Sequence, residues 1–161
     1  MKPISLQTLA GFVDGTISAT SNPLVSRVTT DSRKVGPGDV FVVLKGDKFD
    51  AHDFIPQVIA AGASAVVVSR VDATWQTADC AVIQADDTLL ALQQMARGYR
   101  SWHQPLVIGL TGSNGKTSTK DLTNIIMARK FQTRATLGNL NNHIGVPLTL
   151  LSLLRKRKLE L

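Results

Sequence analysis

Apolar positions along this chain follow two rhythms: short solid runs, and longer stretches with an apolar residue every three or four positions. The run Val40–Leu44, "VFVVL", follows a Gly-Pro-Gly turn and is bounded by polar residues, the pattern of a buried strand. The residues before the turn, beginning "SRVTT", predict a strand of their own. A helix is expected from Asp53 to Ala61, stopped by Gly62 in a left-handed C-terminal cap. "SAVVVS" and "CAVIQ" supply two further short apolar strands. "DDTLLALQQMARGYRSW" then places Leu89, Leu92 and Ala96 on one face of a helix. Alternating strands and helices predict an α/β fold with mostly parallel pairing.

Residues Trp102 to Pro105 interrupt this rhythm and look like a joint. Beyond it, "LVIGLT" predicts a new buried strand, followed by a glycine loop and a helix over Lys116–Arg129 with Leu122, Ile125 and Ile126 inward. "TRAT" predicts a short strand, "GNLNNHIG" a polar loop, and the residues from about Pro147 an apolar helix. Two domains are therefore expected: a small α/β domain over residues 1–103, and the start of a P-loop-type parallel-sheet domain over 104–154. Residues 155–161 form a basic tail. A single βαβ unit is too little to cover an open sheet, so the second domain is expected to be incomplete in these residues.

Composition narrows the function classes. Of the 161 residues 43% are hydrophobic, enough for a real core, yet no apolar stretch approaches the ~18 residues of a membrane span. The first residues lack the long apolar core of a secretory signal, so a cytoplasmic protein is expected. The single cysteine, Cys80, excludes an internal disulfide and reads as a buried, inert strand thiol. The net charge of +6 raises the idea of a nucleic-acid partner, but residues 155–161 hold four bases and one acid, half of that excess. No aromatic residue is interleaved with the tail to stack on bases, so no nucleic-acid partner is expected.

The richest chemistry lies in "IGLTGSNGKTSTKDL", Ile108–Leu122. A strand ending in small flexible residues lets successive backbone N–H groups turn inward as an anion nest. The helix that follows points its partial positive charge at the same spot. Gly112 and Gly115 supply the backbone freedom for that nest, Lys116 can reach the terminal phosphates, and the Thr117 hydroxyl is available to Mg²⁺. The common motif G-x-x-x-x-G-K-[ST] would put its first glycine where Leu110 stands. The alternative is a glycine turn capping an ordinary helix. Strand, glycines, lysine, hydroxyl and amphipathic helix in the right order favour the phosphate cradle. The only acids after Thr117 are Asp121 and Glu160. Neither ends an apolar strand as the second Mg²⁺ ligand of phosphoryl transfer normally does.

"TGSNGKTSTKDL" followed by "GNLNNHIGVPLTLL" resembles the ATP-dependent Mur ligases of bacterial cell-wall synthesis. Upstream, "TTDSRKVGPGDVFVVLKGDKFDAHDFIPQVIAAGASAVVVS" resembles the UDP-binding domain of the same enzymes. The run Gly138 to Leu151 points to the branch that joins D-alanyl-D-alanine to UDP-N-acetylmuramoyl-tripeptide. The member acting one step earlier shares the other blocks. The resemblance is strong from about Val28 to Leu151, weaker before that, and absent from Ser152 onward.

This resemblance implies an acid–D-amino-acid ligase using ATP and Mg²⁺. ATP phosphorylates the tripeptide carboxylate and the dipeptide amine attacks the acyl phosphate. Gly112, Ser113, Asn114, Gly115, Lys116, Thr117 and Ser118 would surround the ATP phosphates, with Lys116 the catalytic residue, offsetting charge on the transferred phosphoryl group, and Thr117 the Mg²⁺ ligand. Asp31, Ser32 and Arg33 would lie at the UDP-sugar site, although chemistry alone reads them as a turn after a strand. His52 is a further substrate-side candidate, and Asn139, Asn141, Asn142 and His143 would face the muramoyl group. No metal-site spacing accompanies His52, His103 or His143. The family also uses a metal-binding glutamate, a modified lysine and a C-terminal domain that brings D-alanyl-D-alanine. None has a counterpart in these residues, so turnover by them alone is not expected. The whole enzyme is expected to be a monomer. Two other readings stay open: a P-loop protein of another kind, and a non-catalytic module that holds the UDP precursor.

Overall fold

The computed structural model describes residues 1–46, 49–75, 79–136 and 142–153. In chain order the elements are β1 (Ile4–Ser5), α1 (Leu6–Ala10), β2 (Thr16–Ser18), β3 (Leu24–Val25), β4 (Arg27–Thr29), β5 (Asp39–Val42), β6 (Lys45–Gly46), β7 (Phe49–Asp50), α2 (Ile55–Ala60), β8 (Ala65–Val68), β9 (Ala81–Gln84), α3 (Thr88–His103), α4 (Lys116–Ala128) and α5 (Gly145–Leu151). Short 3₁₀ turns at Ser32–Lys34, Ala51–Phe54 and Ala73–Trp75 link them. Among the described residues no helix is long and apolar enough to cross a membrane.

The main sheet has the order β2-β9-β8-β5-β4. Strands β4, β5, β8 and β9 run parallel, and β2 pairs antiparallel with β9 at one edge. Strict alternation of side chains explains why the strands read as solid apolar runs: both faces are buried. Val40 and Val42 of β5 and Ala65 and Val67 of β8 join one core, with α1, α3 and Leu151 of α5. Phe41, Val43, Val66 and Val68 join the other, under α2 and Trp75. Each fully buried valine contributes about 1.5–3 kcal/mol relative to exposure. Cys80 is buried in the second core, and burial pushes its thiol up to about 11, as an inert strand thiol requires. The helix expected over Asp53–Ala61 begins as a 3₁₀ turn capped by Asp50 and continues as α2, and Gly62 takes φ +87° just past its end.

Residues beyond the joint depart from expectation. "LVIGLT" forms no strand, and Leu106, Val107, Ile108 and Leu110 are exposed. "TRAT" is irregular as well. Leu122, Ile125 and Ile126 of α4, expected inward, are 61%, 60% and 66% exposed. The physical reason is a shortage of neighbours. A strand needs a ladder beside it, and among the described residues none lies next to 106–110. Without that sheet the apolar stripe of α4 has nothing to pack on.

Helix α5 packs instead against α3. The Tyr99 hydroxyl, fully buried on α3, donates to the Leu153 carbonyl (2.7 Å) and accepts from the Lys2 N–H (2.8 Å).

Candidate functional site

Four parallel strands deliver their carboxyl ends to one edge of the sheet, the side where open α/β folds bind ligands. Residues 31–34 follow β4, the β6–β7 hairpin follows β5, and Ser69 and Arg70 follow β8. A brace beneath holds the first of these in place. The Arg27 Nε donates to Asp39 Oδ1 (2.9 Å), and its Nη2 donates both to Asp39 Oδ2 and to the Lys34 carbonyl (2.5 Å). The Gly36 N–H donates to Asp39 Oδ2 (2.7 Å), so one buried carboxylate ties β4, the 3₁₀ turn and β5 together.

On this brace sits Asp31. Its carboxylate accepts from the Arg33 N–H (3.2 Å) and bidentately from the Arg33 guanidinium (2.8 and 3.0 Å), with the Lys34 ammonium at 3.3 Å. The Arg33 hydrogen bonds hold the Asp31 carboxyl well below the usual carboxylate range, and Asp31 in turn raises Arg33. Asp31 and Arg33 are thus brought into one unit, with Ser32 starting the turn between them. The reading of a capped turn and that of a polar binding rim are both compatible with this geometry.

His52 is placed differently from a ligand-facing residue. It is 3% exposed, and its ring stacks on Trp75 with centroids 5.7 Å apart. Its Nε2 accepts from the Ser69 N–H (3.3 Å) and lies 3.4 Å from the Ser69 hydroxyl. Nδ1 therefore carries the proton and donates to Asp50 Oδ1 (2.5 Å). Asp50 also caps the following turn through the His52 N–H (3.0 Å). These hydrogen bonds to His52 hold the Asp50 carboxyl below its ordinary range. Composition and spacing gave no reason to single out Ser69, Arg70 or Trp75. The available signal was a base two residues after a solid apolar run, a position that a parallel sheet carries to its carboxyl edge.

The glycine loop leads directly into α4. Gly112 and Gly115 adopt φ +142° and +78°, conformations that side chains other than glycine rarely take. A Cβ at Gly115 would meet nothing within 4 Å, so backbone conformation rather than crowding demands glycine there. The N-terminus of α4 has Gly115 as its cap and no side-chain cap hydrogen bond. Its first-turn N–H groups therefore remain available to an anion. The Lys116 ammonium folds back onto the loop, donating to the Gly112 carbonyl and lying 3.4 Å from that of Ser113. Ser113, Asn114, Thr117 and Ser118 are exposed around it. These groups fit a nucleotide's phosphates.

Asn139 and Asn141 lie outside the described residues. The Asn142 side chain accepts from the Ile144 N–H (3.2 Å) and the Gly145 N–H (2.7 Å) just ahead of and at the start of α5, and the adjacent His143 is exposed. The His143 carbonyl accepts from the Gln93 side chain of α3 (3.3 Å), which ties this segment to that helix.

Comparison with known proteins agrees with this geometry. Residues 24–100 match the model "Mur ligase family, catalytic domain", and residues 110–159 match "Mur ligase middle domain". A UDP-N-acetylmuramoyl-tripeptide–D-alanyl-D-alanine ligase of Bacillus subtilis is 41% identical over 154 residues, covering 92% of this chain and 33% of the relative. Its Escherichia coli counterpart is 43% identical over 153 residues, covering 95% and 33%. A crystal structure of MurF from Acinetobacter baumannii superposes with a TM-score of 0.87 at 39% identity, covering 97% of this chain and 34% of that one. MurF ligase from Thermotoga maritima in complex with ADP gives 0.70 at 32% identity, covering 82% and 30%. The chain spans about a third of the length of the curated relatives it matches. From the strand ends to the phosphate loop, it belongs to the Mur ligase family.

Proposed function

We propose that this chain supplies the UDP-precursor-binding sheet and the ATP-phosphate loop of a ligase that joins D-alanyl-D-alanine to UDP-N-acetylmuramoyl-tripeptide. One observation carries the reading: an uncapped α4 N-terminus, two glycines at positive φ and an inward-folded Lys116 stand together in one loop. When bound, ATP supplies the phosphoryl group that activates a carboxylate. The first-turn N–H groups of α4 would hold its phosphates, and the Lys116 ammonium would swing from the Gly112 carbonyl to neutralise them. Thr117 would offer its hydroxyl to Mg²⁺. Among the described residues no three His, Cys, Asp or Glu side chains cluster as a metal site.

The division of labour falls near residues 103–104, with the precursor on the sheet's carboxyl edge and the asparagine segment facing the muramoyl group. Residence in the cytoplasm and a monomeric whole enzyme complete the proposal.

Calorimetric titration with Mg·ATP and with UDP-N-acetylmuramoyl-tripeptide tests it. The chain should bind both, and Lys116→Ala should weaken Mg·ATP by about tenfold or more while leaving the precursor unaffected. Binding of ATP without the precursor would mark a P-loop protein of another kind. Phosphate release by the 161 residues with both substrates should stay at background, because after Thr117 the sequence has no apolar strand ending in an acid to complete the Mg²⁺ site. Steady turnover would overturn that expectation.

A further inference from the structure

Three neighbouring strand ends each present a base at the sheet's carboxyl edge: Arg33 and Lys34 after β4, Lys45 after β5, and Arg70 after β8. Adjacent strands lie about 4.8 Å apart, so this row has the spacing to follow an extended anion. The bases differ in their commitments. Arg33 and Lys34 are both engaged by Asp31. Arg70 approaches Asp50 Oδ2 only at 3.9 Å, beyond hydrogen-bond reach, and its side chain is 62% exposed. A guanidinium carries five donors in a fixed fork suited to phosphate oxygens.

Arg70 is also oriented, and three of the groups around it touch His52. The preceding residue, Ser69, gives its N–H to His52 Nε2. Asp50, the anion that Arg70 faces, receives His52 Nδ1–H. Trp75, over whose ring the Arg70 guanidinium lies at 5.8 Å, has His52 stacked against it. A buried imidazole joining the backbone at the end of β8, a carboxylate and an aromatic face is a second layer behind one exposed base.

We propose that Arg70 contacts the diphosphate of the nucleotide precursor, and that His52 is the positioning residue that aims it. This rests on the sheet edge being the precursor site. It changes the part assigned to His52 from a group that touches substrate to one that acts through its neighbour.

The test measures UDP and Mg·ATP affinity by calorimetry for the parent chain, Arg70→Ala, His52→Phe and the double variant. Phenylalanine keeps the ring against Trp75 and removes both imidazole hydrogen bonds. In a Trp102→Phe background Trp75 is the sole indole, so its emission reports whether UDP engages the Arg70 side of the ring. Arg70→Ala should weaken UDP by about tenfold, the loss of a charge-assisted contact, and abolish the Trp75 response. His52→Phe should give a loss of the same order. The double variant should be no worse than Arg70→Ala alone, since a residue acting only through Arg70 has nothing further to lose. Mg·ATP affinity should be unchanged in all three.

UDP binding that survives Arg70→Ala overturns this inference and leaves the proposed function standing. Losses that add, or a parallel fall in ATP affinity with His52→Phe, reduce His52 to a structural residue and overturn its positioning role. If His52→Phe does not fold, exposed Arg70→Ala still decides the contact, and Ser69→Pro, which removes the N–H donor, decides the aim. A parent chain that fails to bind UDP overturns both readings.

Discussion

β8 and the segment 106–110 are both runs of branched apolar residues, and they meet opposite fates. Ala65–Val68 is wholly buried between two strands and two helical layers, whereas Leu106, Val107, Ile108 and Leu110 stand in solvent. Helices α3 and α4 repeat the contrast. Each has an amphipathic sequence, yet Leu92, Met95 and Tyr99 of α3 are buried while Leu122, Ile125 and Ile126 of α4 are exposed. An apolar run therefore has only a capacity for burial. Cross-strand neighbours realise it, and β5, β8 and β9 find theirs within the first 85 residues.

One pair of substitutions puts this contrast at risk. Val67→Asp would force a carboxylate into the fully buried centre of β8, and should cost about 4 kcal/mol or more, enough to unfold a marginal domain. Ile125→Asp on α4 should shift stability by no more than about 0.5 kcal/mol. Chemical denaturation of both variants measures the difference, and equal losses would show that α4 is buried after all.

A smaller effect sharpens the picture of the sheet edge. Asp39→Ala removes the acceptor shared by Arg27 and the Gly36 N–H, and should destabilise by about 2–3 kcal/mol in urea melts. Precursor affinity should fall with it, because the Asp31 turn rests on that brace. The phosphate loop, which shares none of these bonds, should keep its Mg·ATP affinity.

The smallest effect concerns pH. The folded-state value of Asp31 lies below its unfolded one, so its interaction with Arg33 is fully present above the unfolded carboxylate range. It is lost as pH falls through the folded value. A carbon-detected NMR titration should show Asp31 still ionised near pH ~3, below the ordinary aspartate midpoint. Arg33→Ala should return it to the ordinary range.

Much of the sheet was legible in the sequence because its periodicity is local: solid runs of four or five residues, glycine at helix ends, and apolar spacing in α3. The glycine turn leading into α4 was legible for the same reason, since its glycines, lysine and helix are contiguous. The failures share one cause. "LVIGLT" and the stripe of α4 needed knowledge of which neighbours they would meet, and residue pattern does not carry that. The surroundings of His52 were hidden for a related reason. "FDAHDF" shows a histidine beside acids, but only the return of the chain at Ser69, 17 residues later, shows that its second nitrogen is satisfied. Asn142 likewise reads as an amide in a polar loop until the start of α5 brings the Gly145 N–H to its side chain.

The Tyr99 hydroxyl has a kinetic consequence. It joins residue 2 to residue 99 and residue 99 to residue 153, separations of 97 and 54 along the chain. Contacts so distant in sequence pay their loop-closure entropy late in folding, after the locally connected β4–β9 sheet has formed. A bond absent from the transition state slows unfolding without hastening folding. The tyrosine thus acts as a latch on the finished molecule, setting how long the assembled chain lasts more than how quickly it is made.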